Sequence, residues 1–296
     1  MSLTSPGVVK TTNDILVALA PEITMVKQFT YDISNEVADY GAKVRIPFIT
    51  AGEAEQYADD TCATPGSEAG NYEHPTGSLS DVFITLDYQP KVTVPITSTD
   101  KLELPNDSFW SKAKEAGVNV IGRAISKKIC SNFTAEKCLA GKIVLSGVST
   151  SSIAQLRSKA AKKGRIADYV LVLNGANFND FLACLPSNVY GGTQPIQEGF
   201  IPRAYGFKAV MSSEDLPDGV TGALCPADGL AAAIRPVAIP DPTAYPECDV
   251  VTDEQGFALT AMRHTAFATA KAFYNVTTLI GSDIIRPNDT YYISAS

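Results

Sequence analysis

Lys43-Val-Arg-Ile-Pro-Phe-Ile-Thr50 and Asp81-Val-Phe-Ile-Thr-Leu-Asp-Tyr88 are the two runs that decide the fold. In the first, Val44, Ile46 and Phe48 alternate with Lys43, Arg45 and Pro47. In the second, Val82, Ile84, Leu86 and Tyr88 alternate with Asp81, Phe83, Thr85 and Asp87. Period-two alternation marks a strand with two unlike faces. Between the runs, residues 51–79 hold Glu53, Glu55, Asp59, Asp60, Glu68 and Glu73 and no Lys or Arg. Strand, long acidic loop, strand describes a hairpin that projects from a compact body. A projecting arm of one sign has little to do on an isolated molecule, so a second copy of the chain is the expected receiver.

The remaining composition bounds the function. Hydrophobic residues are 45% and charged residues 19% of the 296, which is globular material with enough apolar mass for a core. A net charge of −8 excludes a general nucleic-acid binder but leaves room for local basic patches. The first 20 residues do not form a secretory signal, and no run of 18 apolar residues predicts a membrane span. The six scattered cysteines (62, 130, 138, 184, 225, 248) are read as free thiols in a reducing cytoplasm.

Along the chain, Asn13 or Asp14 caps a short helix through Ile15, Leu16 and Leu19 that stops near Pro21. The outgoing strand of the hairpin resumes after Pro90 as Lys91–Thr97. The period then changes. Ile121, Ile125 and Ile129 recur at helical spacing, and Phe109, Ala113, Ala116, Val120 and Ala124 form a neighbouring stripe. This predicts a spine helix from Asp107 to about Leu139, some ~45 Å long, stopped by Gly141. A second helix is predicted over Ser151–Lys163 and a buried strand over Tyr169–Leu173, followed by a helix over Asn174–Leu185. Strands are predicted over Tyr205–Ser212 and Ala223–Cys225, with a short apolar helix at Asp228–Ile234. Alternating helix and strand imply an α/β lobe over ~150–235. Four prolines in 236–246 read as a stiff linker. Strands close the chain at Phe257–Met262, Ala266–Val276 and Thr290–Ser294, and are expected to return onto the spine helix.

Catalytic chemistry is thinly supplied. His74 and His264 are the two histidines. A nucleophilic pair such as Cys130 with His264 is weighed against cysteines acting as small hydrophobes, and the second reading is preferred. Cys130 and Cys138 fit no zinc spacing, and the acids at 53–60 lack the calcium-loop pattern. Phosphate-cradling glycine motifs are absent. No catalytic residue, cofactor or metal is therefore assigned.

The positive charge is organised. Residues 111–142 carry Lys112, Lys114, Arg123, Lys127, Lys128, Lys137 and Lys142 against Glu115 and Glu136. Residues 155–165 carry Arg157, Lys159, Lys162, Lys163 and Arg165 without an acid. Opposite fields on two parts of one chain favour contact between neighbouring copies. The proposed inter-subunit loop is thus Glu53, Glu55, Asp59, Asp60, Glu68 and Glu73. The proposed receiving spine-helix face is Lys112, Lys114, Arg123, Lys127 and Lys128.

The order of parts, with several stretches of wording, resembles the tailed-bacteriophage major capsid proteins of the Hong Kong 97-like fold. The stretches are Val92-Thr-Val-Pro-Ile-Thr-Ser98, Gly199-Phe-Ile-Pro-Arg-Ala-Tyr-Gly-Phe-Lys-Ala-Val210, Gly229-Leu-Ala-Ala-Ala-Ile-Arg235 and Asp253-Glu-Gln-Gly-Phe257. The resemblance implies an α+β fold with an N-terminal arm (1–36) and an extended loop with flanking strands (37–97). It implies a peripheral domain with the spine helix (98–149), an axial domain (150–240) and peripheral C-terminal strands (241–296). It implies a non-enzymatic shell protein in the virion capsid. Such a protein assembles in the host cytoplasm into pentamers and hexamers around double-stranded DNA, without a membrane. Scaffolding, portal and decoration proteins would be its partners. No lysine lies between Lys43 and Lys91, so no loop-lysine crosslink is expected. The chain starts close to its arm, so a scaffold is expected as a separate protein or a removed segment. The alternatives are an encapsulin-type shell around a cargo and, from another class, a soluble cysteine-dependent enzyme with its site near Cys184 or Asp168.

Overall fold

The computed structural model describes residues 30–32, 43–51, 77–96, 117, 120–163, 166–185, 200–237, 247–252, 258–266 and 271–295. In chain order the strands begin with β1 (Thr30–Asp32), β2 (Lys43–Ala51), β3 (Gly77–Thr85) and β4 (Lys91–Ile96). Helix α1 covers 120–130. Then come β5 (Gly141–Val144), α2 (Thr150–Ala161), β6 (Tyr169–Leu173), α3 (Gly175–Ala183), β7 (Phe200–Pro202), β8 (Ala209–Ser212) and β9 (Gly222–Pro226). The last six are β10 (Leu230–Arg235), β11 (Glu247–Thr252), β12 (Ala258–Ala266), β13 (Lys271–Thr277), β14 (Leu279–Ile284) and β15 (Tyr291–Ser294).

Strand β6 organises the α/β lobe. Its five apolar residues, Tyr-Val-Leu-Val-Leu, are buried on both faces, as a central strand demands. The sheet order is β5-β15-β9-β6-β8-β7. Leu171 and Leu173 share one buried cluster with Ile153, Leu156 and Ala160 of α2 and with Phe178 and Phe181 of α3. Val170 and Val172 look the other way, into a cluster with Ile121, Ile125 and Ile129 of α1 and Tyr274, Val276, Ile280 and Ile284 of the late strands. Each lobe helix is capped from its own sequence. Ser149 accepts from the Ser152 amide at the start of α2, and Asn174 accepts from the Asn177 amide at the start of α3.

The hairpin pairs in the register the alternation requires. Val44 lies opposite Ile84 and Ile46 opposite Val82, so the apolar set shares a face. That face reaches a third cluster, where Ile46, Ile84 and Leu86 meet Ala231, Ala233 and Leu279. β3 and β4 part company at Pro90, since β4 pairs with β13 in the sheet β11-β12-β13-β4.

Several expected elements differ. α1 ends at Cys130 rather than near Leu139, because Asn132 and Phe133 turn back to the carbonyls of Ile129 and Cys130. The buried Asn132 amide then donates to Ser282 Oγ at 2.8 Å. Gly141 opens a strand instead of closing a helix, with φ at +109°. The stretch expected as a helix at 228–234 is mostly β10, held between β1 and β14. The final strand enters the α/β sheet between β5 and β9, while β12, β13 and β14 pack with α1. The short helix expected near Ile15, the first half of the spine helix and most of the proline linker lie outside the described residues.

Candidate assembly surfaces

The charged surfaces start at the hairpin base. Arg45 and Asp81 pair at 2.8 Å on its outer face, where Phe83 stands exposed. Gly281 of β14 lies so close beneath β3 that a Cβ there would sit 2.5 Å from the Thr85 carbonyl oxygen. The hairpin is thereby seated on β14 by direct backbone approach.

Of the proposed receiving face, Arg123 and Lys127 are exposed on α1. Lys128 is largely covered. Its Nζ lies 2.8 Å from Asp87 Oδ1 and 5.9 Å from the centre of the Tyr88 ring. That cation is held by its own chain, and its charge reaches a neighbour only after screening by Asp87. Lys112, Lys114 and the six acids of the loop lie outside the described residues.

The second surface was not singled out from the sequence. The outer face of the sheet β11-β12-β13-β4 carries a shallow groove of about 470 Å³, with Lys91, Thr93, Met262, Phe273 and Asn275 among its walls. The signal was present in β4, where Val92 and Val94 turn towards the core and Lys91 and Thr93 turn out.

The thiols are placed for packing. Burial pushes Cys130 up to about 11 and Cys138 up to about 12, and holds Cys225 well above the ordinary thiol range. A nucleophile needs the opposite shift. The hydroxyls of Ser213 and Ser126 are the hydrogen-bonding neighbours of Cys130. Cys184 points at the Val148 carbonyl, 3.8 Å away, and Asp168 is exposed in a 3-10 turn. Among the described residues no cluster of His, Cys, Asp and Glu could hold a metal ion, and no helix is long and apolar enough to cross a membrane.

No family model matches the sequence, and no curated protein matches it. Solved structures do. A chain of the capsid of the cyanophage P-SCSP1u aligns with a TM-score of 0.58 at 13% identity, over 92% of this chain and 88% of that one. This chain has a phage-capsid fold. The capsid of the native GTA particle aligns at 0.58 and 13% identity, over 94% and 90% of the two chains. The mature capsid of bacteriophage PhiM1 aligns at 0.54 and 10%, over 90% and 85%. The capsid resemblance drawn from the sequence is thus borne out in the backbone. At these identities it is carried by topology, with almost no shared wording.

Proposed function

We propose that this chain is the major capsid protein of a tailed phage. It builds pentamers and hexamers of an icosahedral shell around double-stranded DNA, and its role is structural rather than catalytic. The observation that carries the reading is the match to capsid chains over nine-tenths of the sequence. In this reading 1–36 is the arm, 37–97 the extended loop and 98–149 the peripheral part with the spine helix. Residues 150–240 form the axial unit, joined through its sheet by β5 and β15, and the rest of 241–296 returns to the periphery. The acids Glu53, Glu55, Asp59, Asp60, Glu68 and Glu73 approach the cations of a neighbour's spine helix, with Arg123 and Lys127 the exposed ones in the described part. Apolar strand faces supply most of the adhesion, since each exposed ion pair contributes at most ~1 kcal/mol. Scaffolding, portal and decoration proteins are the further partners, and assembly takes place in the host cytoplasm.

Negative-stain microscopy with sedimentation tests the reading. The expected result is closed shells, formed alone or with a scaffold. A subunit that stays monomeric under every condition refutes it. Shells that enclose a protein cargo and no DNA point to the encapsulin-type alternative. Reversing Glu53, Glu55, Asp59 and Asp60 to Lys is expected to block assembly and leave the subunit folded. Acidic substitutions at Lys112 and Lys127 then restore part of it.

A further inference from the structure

The α/β lobe is electrically polarised along its strands. β6, β8, β15 and β5 run in one direction and β9 runs against them. The end where β6, β8 and β15 finish carries the loop Ser213–Gly219, whose Ser213 amide donates to Leu173 O. Glu214, Asp215 and Asp218 stand in that loop, and Asp180 of α3 lies beside Gly147 at the same end. The lobe's own described segments place no Lys or Arg there. Glu214 is occupied, since its Oε1 accepts from the Gly175 amide at 2.8 Å. Asp180 and Asp218 are exposed, and Leu216 and Pro217 lie half-buried between the acids.

The opposite end carries the cations. α2 runs back against the strands, so Lys159, Lys162 and Lys163 fall where β6 begins, and Lys208 precedes β8 there. The acids at this end are Asp168, Asp228 and Asp289. Two of them are committed, Asp228 to Arg286 and Asp289 to Lys163 at 3.2 Å. Lys162 and Lys208 are exposed, with no ion pair among the described residues.

We propose that these two ends form a self-complementary contact, in which the acidic end of one copy's lobe meets the basic end of the next. A contact between unlike patches is heterologous and closes into a ring when its rotation permits. Opposite fields steer that encounter and penalise head-to-head docking. Leu216 and Pro217 add apolar area within the acidic patch. The inference rests on the capsid reading but concerns a different surface from the hairpin and spine helix.

The test uses full-length protein and two charge-reversed pairs, Lys162→Glu with Lys208→Glu, and Asp180→Lys with Asp218→Lys. Shell yield is read by sedimentation, and circular dichroism melting confirms that the subunits are folded. Each pair is expected to cut yield at least about tenfold at physiological salt. The four changes together are expected to restore it to within about threefold, because the contact is rebuilt with its signs exchanged. Wild-type shells with undiminished yield from both pairs overturn the contact and leave the capsid reading standing. A quadruple variant no better than the worse pair also overturns it. Loss of bound DNA from the lysine pair, with yield intact in both, assigns the basic end to a polyanion instead. Absence of wild-type shells under all conditions overturns both readings.

Discussion

Gly281→Ala isolates the seating of the hairpin. Gly281 lies in β14 opposite Ala233 of β10, facing the end of β3. An added Cβ would stand 2.5 Å from the Thr85 carbonyl oxygen and 2.9 Å from its carbon, against the 3.0 Å that real Cβ contacts essentially never breach. The strands would have to part by at least half an ångström, and both contacting atoms are backbone, so no side chain can swing away. Overpacking of this kind costs about 1–3 kcal/mol. For a chain of 296 residues that lowers the melting temperature by roughly 2–5 °C. Thermal denaturation of the unassembled subunit measures the loss. Gly219→Ala is the control, since that glycine has open space around it and only φ at +78° to oppose a side chain. The control is expected to cost about 1–2 kcal/mol, from the left-handed backbone alone. A Gly281→Ala subunit that melts with the wild type refutes the view that backbone contact seats the hairpin.

Leu171→Ala removes a fully buried side chain from the middle of β6 and is expected to cost about 3–5 kcal/mol in urea unfolding. Ser149→Ala deletes the α2 cap and is expected to cost ~1 kcal/mol, while Ser149→Asp recovers most of it. The Cys130 thiol, about 11 in the fold, ionises later than in the unfolded chain near 9. Its contribution is complete below pH 9 and is lost as the pH rises towards 11, with a slope of about 1.4 kcal/mol per pH unit. Cys130→Ala is expected to flatten that part of the stability curve. Native Cys130, Cys138 and Cys225 are expected to resist alkylation at pH 8, and rapid labelling before unfolding would contradict their burial.

Elements with one unambiguous pattern were legible in the sequence. Val44, Ile46, Val82 and Ile84 announced a two-faced hairpin, and the helices predicted over Ser151–Lys163 and Asn174–Leu185 are found as α2 and α3. β10 was not legible. Leu-Ala-Ala-Ala-Ile-Arg reads as helix because Ala leads the helix propensities. Its partners override that preference. Leu230, Ala232 and Ile234 enter one core and Ala231 and Ala233 another, so both faces are apolar and no alternation shows. The end of α1 was missed for a different reason. It depends on Asn132 finding Ser282, 150 residues away, and no local window contains that hydrogen bond. The acidic run from Glu53 to Glu73 was visible as a charge count, whereas the polarity of the α/β lobe appears only once strand directions bring distant segments to a common end. The commitment of Lys128 to Asp87 was likewise invisible from spacing.

The position of β15 also sets a timetable. Tyr291–Ser294 lies between β5 and β9, so β5 has no partner, and β9 only β6, until residue 294 has been synthesised. At roughly 5–20 residues per second, β5 waits some 7–30 s for a strand made about 150 residues later. A nascent chain therefore carries an unfinished sheet with an open slot. The sheet of the α/β lobe is complete only after translation of that strand, so any contact that needs the finished lobe waits for the end of the chain.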